Sequence, residues 1–229
     1  MSDTEGTPHI PETLPFLKLE IACVEIVTEL NGLAYDSNYY PHLVSVALLN
    51  NCIETAFAMV ILSRGPTDGG HPILLRTLFE STARLMFIAK SPEDNALALE
   101  RKDCEEILRQ IGKCPTQDED KETTEIRKMA CERVVILDKE KVKSISTKEL
   151  IMQGKLAPYY PIYQQLSGVV HGQVTPLLQC QIVMQNDVVH LKVMRSYPEE
   201  QRLAFQEMAT TFLQLAQLNI QRVLDTHHV

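Results

Sequence analysis

Two sets of residues in this chain have the types and spacing to do chemistry. The first is Arg76, Glu80 and Arg84, in the stretch HPILLRTLFESTARLMFIAKSPE. They recur at i, i+4 and i+8 and so align along one side of a helix. Two guanidinium groups around one carboxylate leave a net positive charge, which an anion can satisfy: a phosphate, a carboxylate or a backbone carbonyl. The second set is Ser167 and His171 in YQQLSGVVHG, again one helical turn apart, with Gly168 and Gly172 beside them. A histidine in such a place can move a proton near neutral pH, and the glycines allow close backbone approach.

Each set also has a purely architectural reading. Apolar residues surround the charges: Ile73, Leu74, Leu75, Leu78, Phe79, Leu85, Met86, Phe87 and Ile88. A helix apolar nearly all round is expected to be buried, and a buried ion pair can serve only to fix helix packing. If Glu80 is enclosed between Arg76 and Arg84, its removal strands a guanidinium and costs about 3–5 kcal/mol. Glu54 of the preceding helix is a further acceptor within the chain. Likewise His171 can be a hydrogen-bonded core residue. The sequence leaves both readings open. It predicts that Arg76, Glu80 and Arg84 face Ser167 and His171 across one polar pocket, since buried polar groups need partners.

The elements that must position these residues are mainly helical. With 229 residues, 45% of them hydrophobic, the chain can bury one sizeable core, which predicts a mainly α, single-domain bundle over residues 13–229. Residues 1–12 read as a flexible tail. Residues 14–33 have helical spacing, with Phe16, Leu17, Ile21, Val24, Val27 and Leu30 as the expected buried face. Further helices are predicted over 42–63 and 72–90, the second opened by Pro72. Residues 93–149 hold about half of the chain's charges, of mixed sign, and predict an exposed helical arm of two helices, 93–111 and 119–138. A short helix over 162–171 follows. A small β-hairpin is expected near 178–194, with strands 178–184 and 188–194, then a closing helix from Pro198.

Composition narrows the function. A net charge of −8 disfavours a general nucleic-acid binder, though not a local basic pocket. The cysteines at 23, 52, 104, 114, 131 and 180 form no C-x-x-C pair, so reduced thiols are expected. The N-terminus lacks the pattern of a signal peptide, and residues 43–62 are broken by Asn50, Asn51 and Glu54. A soluble cytoplasmic protein is expected, with no membrane partner. There is no E-x-x-H, no H-E-x-x-H, no phosphate loop and no G-x-G-x-x-G, so neither metal nor cofactor is expected. A Ser-His hydrolase lacks its G-x-S-x-G elbow. Catalysis stays undecided; the partners that fit are a small anionic ligand or RNA, and a second copy of the chain.

LLRTLFESTARLMFI, a charged helical stretch, YQQLSGVVHG, a hairpin and a closing helix together resemble an uncharacterised family of bacterial helical proteins. That family carries an R-s-l-x-E element and a later S-x-x-x-H element, and the match spans roughly residues 40 to 220. By this resemblance Arg76 and Glu80 belong to the first element, Ser167 and His171 to the second. No activity comes with it. A looser resemblance is to HEPN helical domains, many of which are metal-independent ribonucleases of toxin–antitoxin and phage-defence systems. Their signature is an arginine, a polar residue, and a histidine a few positions on. Arg222 to His227 and Arg64 to His71 have roughly that spacing, but Val223 and Gly65 stand where the polar residue belongs. HEPN-like chemistry here would be assembled from separate helices, with Arg76 or Arg84 on phosphate, Glu80 beside them and His171 moving the proton.

Overall fold

The computed structural model describes residues 16–32, 34–65, 69–112, 120–152, 156–171, 182–185, 188–191 and 197–227. The expected N-terminal tail lies outside them. The helices are α1 (Leu17–Leu30), α2 (Tyr40–Ser63), α3 (His71–Ile88), α4 (Pro92–Ile111), α5 (Lys121–Lys139), α6 (Thr147–Met152), α7 (Tyr160–Val170) and α8 (Glu199–Leu224), with short 3-10 turns at Ala157–Tyr159 and Asp225–His227. The all-α class is as expected. Residues Ile182–Gln185 (β1) and Val188–Leu191 (β2) pair antiparallel, Ile182 opposite Leu191 and Gln185 opposite Val188. An isolated ladder of this length is marginal in water. The expected hairpin of strands 178–184 and 188–194 is not established as a feature of the fold.

The core forms where α2, α3 and α8 pack on one another, with α1 against α2 and α8, and α7 against α3. Helix α2 is the one described helix long and apolar enough to cross a bilayer; here it packs on α1, α3, α4 and α8. Phe79 of α3 and Phe212 of α8 are almost fully buried and meet edge to face at 5.0 Å. Polar side chains stitch the same interface. Thr82 Oγ1 donates to the Phe212 carbonyl at 3.2 Å, and Asn51 Nδ2 donates to Ser81 Oγ at 2.7 Å. The His42 ring accepts from the Asp36 N–H at Nδ1, which leaves Nε2 to donate to the Val223 carbonyl at 3.1 Å. Each of these groups is satisfied on burial and so does not carry the penalty of an orphaned one.

Helix α3 begins at His71, with Pro72 in its first turn. Its cap residue, Gly70, has ordinary right-handed backbone and offers no side-chain cap. It ends before Ser91-Pro92, because a proline disfavours helical backbone in the residue ahead of it. Ser91 then caps α4 in position only; its hydroxyl donates to the Asp94 carboxylate at 3.1 Å instead of bonding the helix backbone.

Two expectations need correction. The buried face of α1 is Leu19, Ala22, Cys23 and Ile26, together with Phe16 just before it. Leu17, Ile21, Val24 and Val27, expected inside, are exposed. The helix is apolar on two sides, and the side with Leu19, Ala22, Cys23 and Ile26 lies against α2 and α8, where Ala22 and Cys23 permit close approach. The charges of α4 and α5 are also not merely solvated. Arg133 grips Glu100 with two bonds of 2.6 and 2.7 Å, and Arg101 reaches Asp138 at 2.7 Å, all across the α4–α5 contact. Arg127, buried, donates to the Ile111 and Gly112 carbonyls at 3.0 and 2.8 Å and so closes the C-terminus of α4, whose last carbonyls have no partner within the helix.

Packing sets thiol reactivity, because the thiolate is the nucleophile. Burial pushes the Cys23 and Cys52 thiols up to about 12, Cys23 with a further push from Glu20; Cys131 is only half-buried. Alkylation of the native protein at neutral pH, followed by mass spectrometry, should label Cys131 well before Cys23 and Cys52. The two buried thiols should react promptly only after denaturation; equal labelling of all three in the native state would contradict this packing.

Candidate functional site

The two motif sets meet, but only in part. Helices α3 and α7 pack together through Phe79 and Tyr163, whose rings stack at 5.4 Å and 26°. That contact sets the edge of α7 carrying Tyr163, Ser167 and His171 beside the edge of α3 carrying Arg76 and Glu80. Arg76 is the hub. Its Nε donates to Glu80 Oε1 at 3.0 Å, its NH1 lies 3.3 Å from His171 Nε2, and its Cζ sits 5.7 Å from the Tyr163 ring centroid. Tyr163 completes the loop by donating its hydroxyl to the same Glu80 oxygen at 2.8 Å.

The role of His171 Nε2 follows from this geometry. A guanidinium has only donors, so within this contact Nε2 is the accepting atom. His171 stands at the end of α7, where its backbone N–H returns to the Ser167 carbonyl at 3.0 Å, and it is exposed. Ser167 is half-buried on the same edge.

The expectation of a fully buried charge stripe does not hold. The Arg76 side chain is 16% exposed and that of Glu80 32%; Ile73 and Thr77 lie open along the same helix. One long edge of α3 faces solvent, and the charges occupy its margin. Nor does Glu80 sit between two arginines. Arg84 turns to α4 and pairs with Asp103 at 2.9 Å, while Glu54 accepts from Asn50 at 2.9 Å within α2. The two-arginine stripe therefore divides between two neighbouring helices. With water this close, the ion pairs contribute on the order of 0–1 kcal/mol each, so loss of Glu80 is much milder than for an enclosed carboxylate.

Tyr163 was not among the candidates from sequence. Its signal was there: Tyr163, Ser167 and His171 recur at i, i+4 and i+8 on α7, matching the spacing of the stripe on α3. Asp103, the partner of Arg84, was hidden in the charge-rich stretch, where no spacing distinguishes it. Of the two arginine–histidine spacings of HEPN type, Arg64 to His71 assembles no site. Arg64 pairs with Glu20, while His71 is buried, stacked on Phe16 at 4.8 Å with Nε2 3.1 Å from the Met59 carbonyl. Arg222 is exposed near the end of α8. Among the described residues no cluster of histidine, cysteine and carboxylate side chains could hold a metal ion.

Burial raises the Tyr163 hydroxyl to about 12, helped by its bond to Glu80 and that carboxylate's charge, with Arg76 pulling the other way. The folded state thus holds this proton more tightly than the unfolded chain, where a tyrosine titrates at about 10. Its contribution to stability is intact below that value and is lost as pH rises towards 12. An alkaline titration followed by tyrosinate absorbance should show late-titrating tyrosines, with Tyr40, also held at about 12 chiefly by burial, as another. Tyr163→Phe should remove one late step and flatten the alkaline loss of stability; loss of an early step near pH 10 instead would mean that Tyr163 is not held in this buried setting beside Glu80.

A family model described as a family of unknown function, DUF5677, matches residues 42–208. No curated protein and no solved structure matches the chain. The matched span holds the R-x-x-x-E element on α3, the S-x-x-x-H element on α7 and every residue of the Arg76–Glu80–Tyr163–His171 cluster, and over that span the chain belongs to the DUF5677 family.

Proposed function

We propose that the cluster of Arg76, Glu80, Tyr163 and His171 is an anion site, and that the protein acts as a ligand-binding or interaction module for a phosphate-bearing partner. The observation that carries this reading is the 3.3 Å contact between Arg76 NH1 and His171 Nε2 at a solvent-facing edge. Glu80 and Tyr163 fix the guanidinium, so little ordering is required when a ligand arrives. With His171 neutral, the Arg76–Glu80 pair cancels. With His171 protonated, two cationic donors stand side by side against one carboxylate, which Arg76 holds on its other side, and an anion bridging both relieves their repulsion. Ser167, one turn away, can add a hydroxyl donor. Arg84 is held by Asp103 and stands apart. The same chemistry fits a soluble cytoplasmic protein that needs neither metal nor cofactor.

Isothermal titration with inorganic phosphate and with a nucleoside monophosphate tests this. Wild type should bind, Arg76→Ala and His171→Ala should each lose at least tenfold in affinity, and Arg84→Ala should bind as wild type does. Binding that survives Arg76→Ala, or absent from wild type for both probes, would refute the site.

The same contact favours a second reading. A phosphodiester between Arg76 and His171 would meet a positive charge and a proton carrier together, the minimum for metal-independent RNA cleavage. The chain would then be a HEPN-like ribonuclease of a bacterial toxin–antitoxin or phage-defence system, with the 2′-hydroxyl as nucleophile and His171 as general base or acid. The net charge of −8 works against broad RNA binding, because phosphate contacts dominate such affinity. Incubating RNA with wild type and His171→Ala in EDTA decides between the two. Cleavage by wild type alone supports the ribonuclease; no cleavage, with phosphate bound, supports the binding module.

A further inference from the structure

Helix α1 has an apolar face that the other described elements leave open. Its buried residues, Leu19, Ala22, Cys23 and Ile26, lie on one side. At 100° per residue, Leu17, Ile21, Val24 and Thr28 fall on the opposite side. Ile21 is 48% and Val24 53% exposed. The spacing of these four, alternately four and three residues, is the repeat of a two-stranded coiled-coil seam. The flanks are charged in a self-complementary way. Lys18, Glu25 and Glu29 lie on the side towards α8, where Glu29 meets Gln217. Glu20 and Val27 lie on the side towards α2, where Glu20 meets Arg64.

We propose that this face joins a second copy of the chain, α1 against α1 in antiparallel orientation. A two-fold axis level with the midpoint between Ala22 and Cys23 sets Ile21 opposite Val24 of the copy, and Leu17 opposite Thr28. Such an axis brings like flanks together. Lys18 then falls between Glu25 and Glu29 of the other copy, within about 3 Å of each along the helix axis at a rise of about 1.5 Å per residue. The parallel arrangement would instead offer Lys18 only Glu20, which Arg64 already holds. Among the described residues neither Lys18 nor Glu25 has an ion-pair partner within the chain. Ile61, exposed one turn before Arg64 on α2, extends the apolar surface beside the seam. A 14-residue helix pair is about 21 Å long, which places the contact at the small end of specific interfaces, so the association is concentration-dependent and reversible.

Sedimentation equilibrium of the full chain over a concentration series reads this directly. Wild type should pass from monomer to dimer. Ile21→Glu with Val24→Glu should shift the midpoint at least tenfold to higher concentration, with an unchanged circular dichroism spectrum because both side chains are exposed. Lys18→Glu alone should weaken the dimer, and adding Glu25→Lys should recover part of the loss, since one of the two opposite-charge pairs forms again across the axis while Glu29 is unchanged. A wild type that stays monomeric throughout, a dimer that survives the Ile21→Glu, Val24→Glu pair, or a double swap that recovers none of the lost association would each overturn the proposal.

Discussion

Helix α3 has to bury most of its circumference while its charged edge cannot leave water without partners. Leu75, Leu78, Phe79, Leu85 and Ile88 are fully buried or nearly so, and α2 and α8 supply most of the surface that covers them. Burying such side chains stabilises the fold by about 1.5–3 kcal/mol each. The charges at Arg76, Glu80 and Arg84 lie on the same helix, so any position that covers the apolar face brings them towards the interior. The observed solution leaves them at the boundary and gives each a partner on another helix. Tyr163 and His171 come from α7, Asp103 from α4. The placement of α7 and α4 is thus tied to the electrostatics of α3 as well as to its shape.

Aromatic packing makes this arrangement specific. Phe79 touches Phe212 edge to face and Tyr163 face to face, and Tyr159 meets Phe212 edge to face at 5.4 Å. Such pairs contribute about 0.5–1.5 kcal/mol beyond burial, and their orientations restrict how α7 can slide along α3. A slip of one turn would part Tyr163 from Glu80 and His171 from Arg76 together. The ring that stacks on the core is also the one whose hydroxyl holds the carboxylate. The site and the α3–α7 interface therefore share one residue, and geometry at the solvent edge is inherited from packing beneath it.

Much of this was legible in the sequence, for identifiable reasons. Long helices with Gly, Pro and Asn at their ends could be read almost to the residue: α3 from Pro72, α4 from Ser91-Pro92, α8 from Pro198. The pairing of the R-x-x-x-E and S-x-x-x-H elements followed from polar groups in apolar helices needing partners. Arg84 failed because helical spacing tells which residues share a face but not which neighbour each face meets, and the boundary between α7 and α4 falls between Glu80 and Arg84. Helix α6 was missed because six residues carry too little periodicity. On helix α1, Phe16 and Leu30 pack on the core as read, but Leu17, Ile21, Val24 and Val27 do not, because apolar residues stand on two sides of the helix and spacing alone does not choose between them.

That misreading of α1 has a physical basis that bears on the whole molecule. A helix with apolar residues on one side gives an unambiguous answer; α1 has them on two, and only the shape of the α2–α8 groove chooses between them. Ala22 and Cys23 let the backbones approach closely there, flanked by Leu19 and Ile26, and Leu17, Ile21 and Val24 are left outside. Natural surfaces carry single apolar residues without consequence, whereas Leu17, Ile21 and Val24, in a coiled-coil repeat closed by Thr28 and flanked by matched charges, form a coherent surface. It lies on a helix packed against α2 and α8, while the Arg76–His171 edge lies where α3 meets α7. The two features are thus built on different helices, so occupation of one need not obstruct the other. Helices α2 and α8 each pack against both α1 and α3 and so join the two edges.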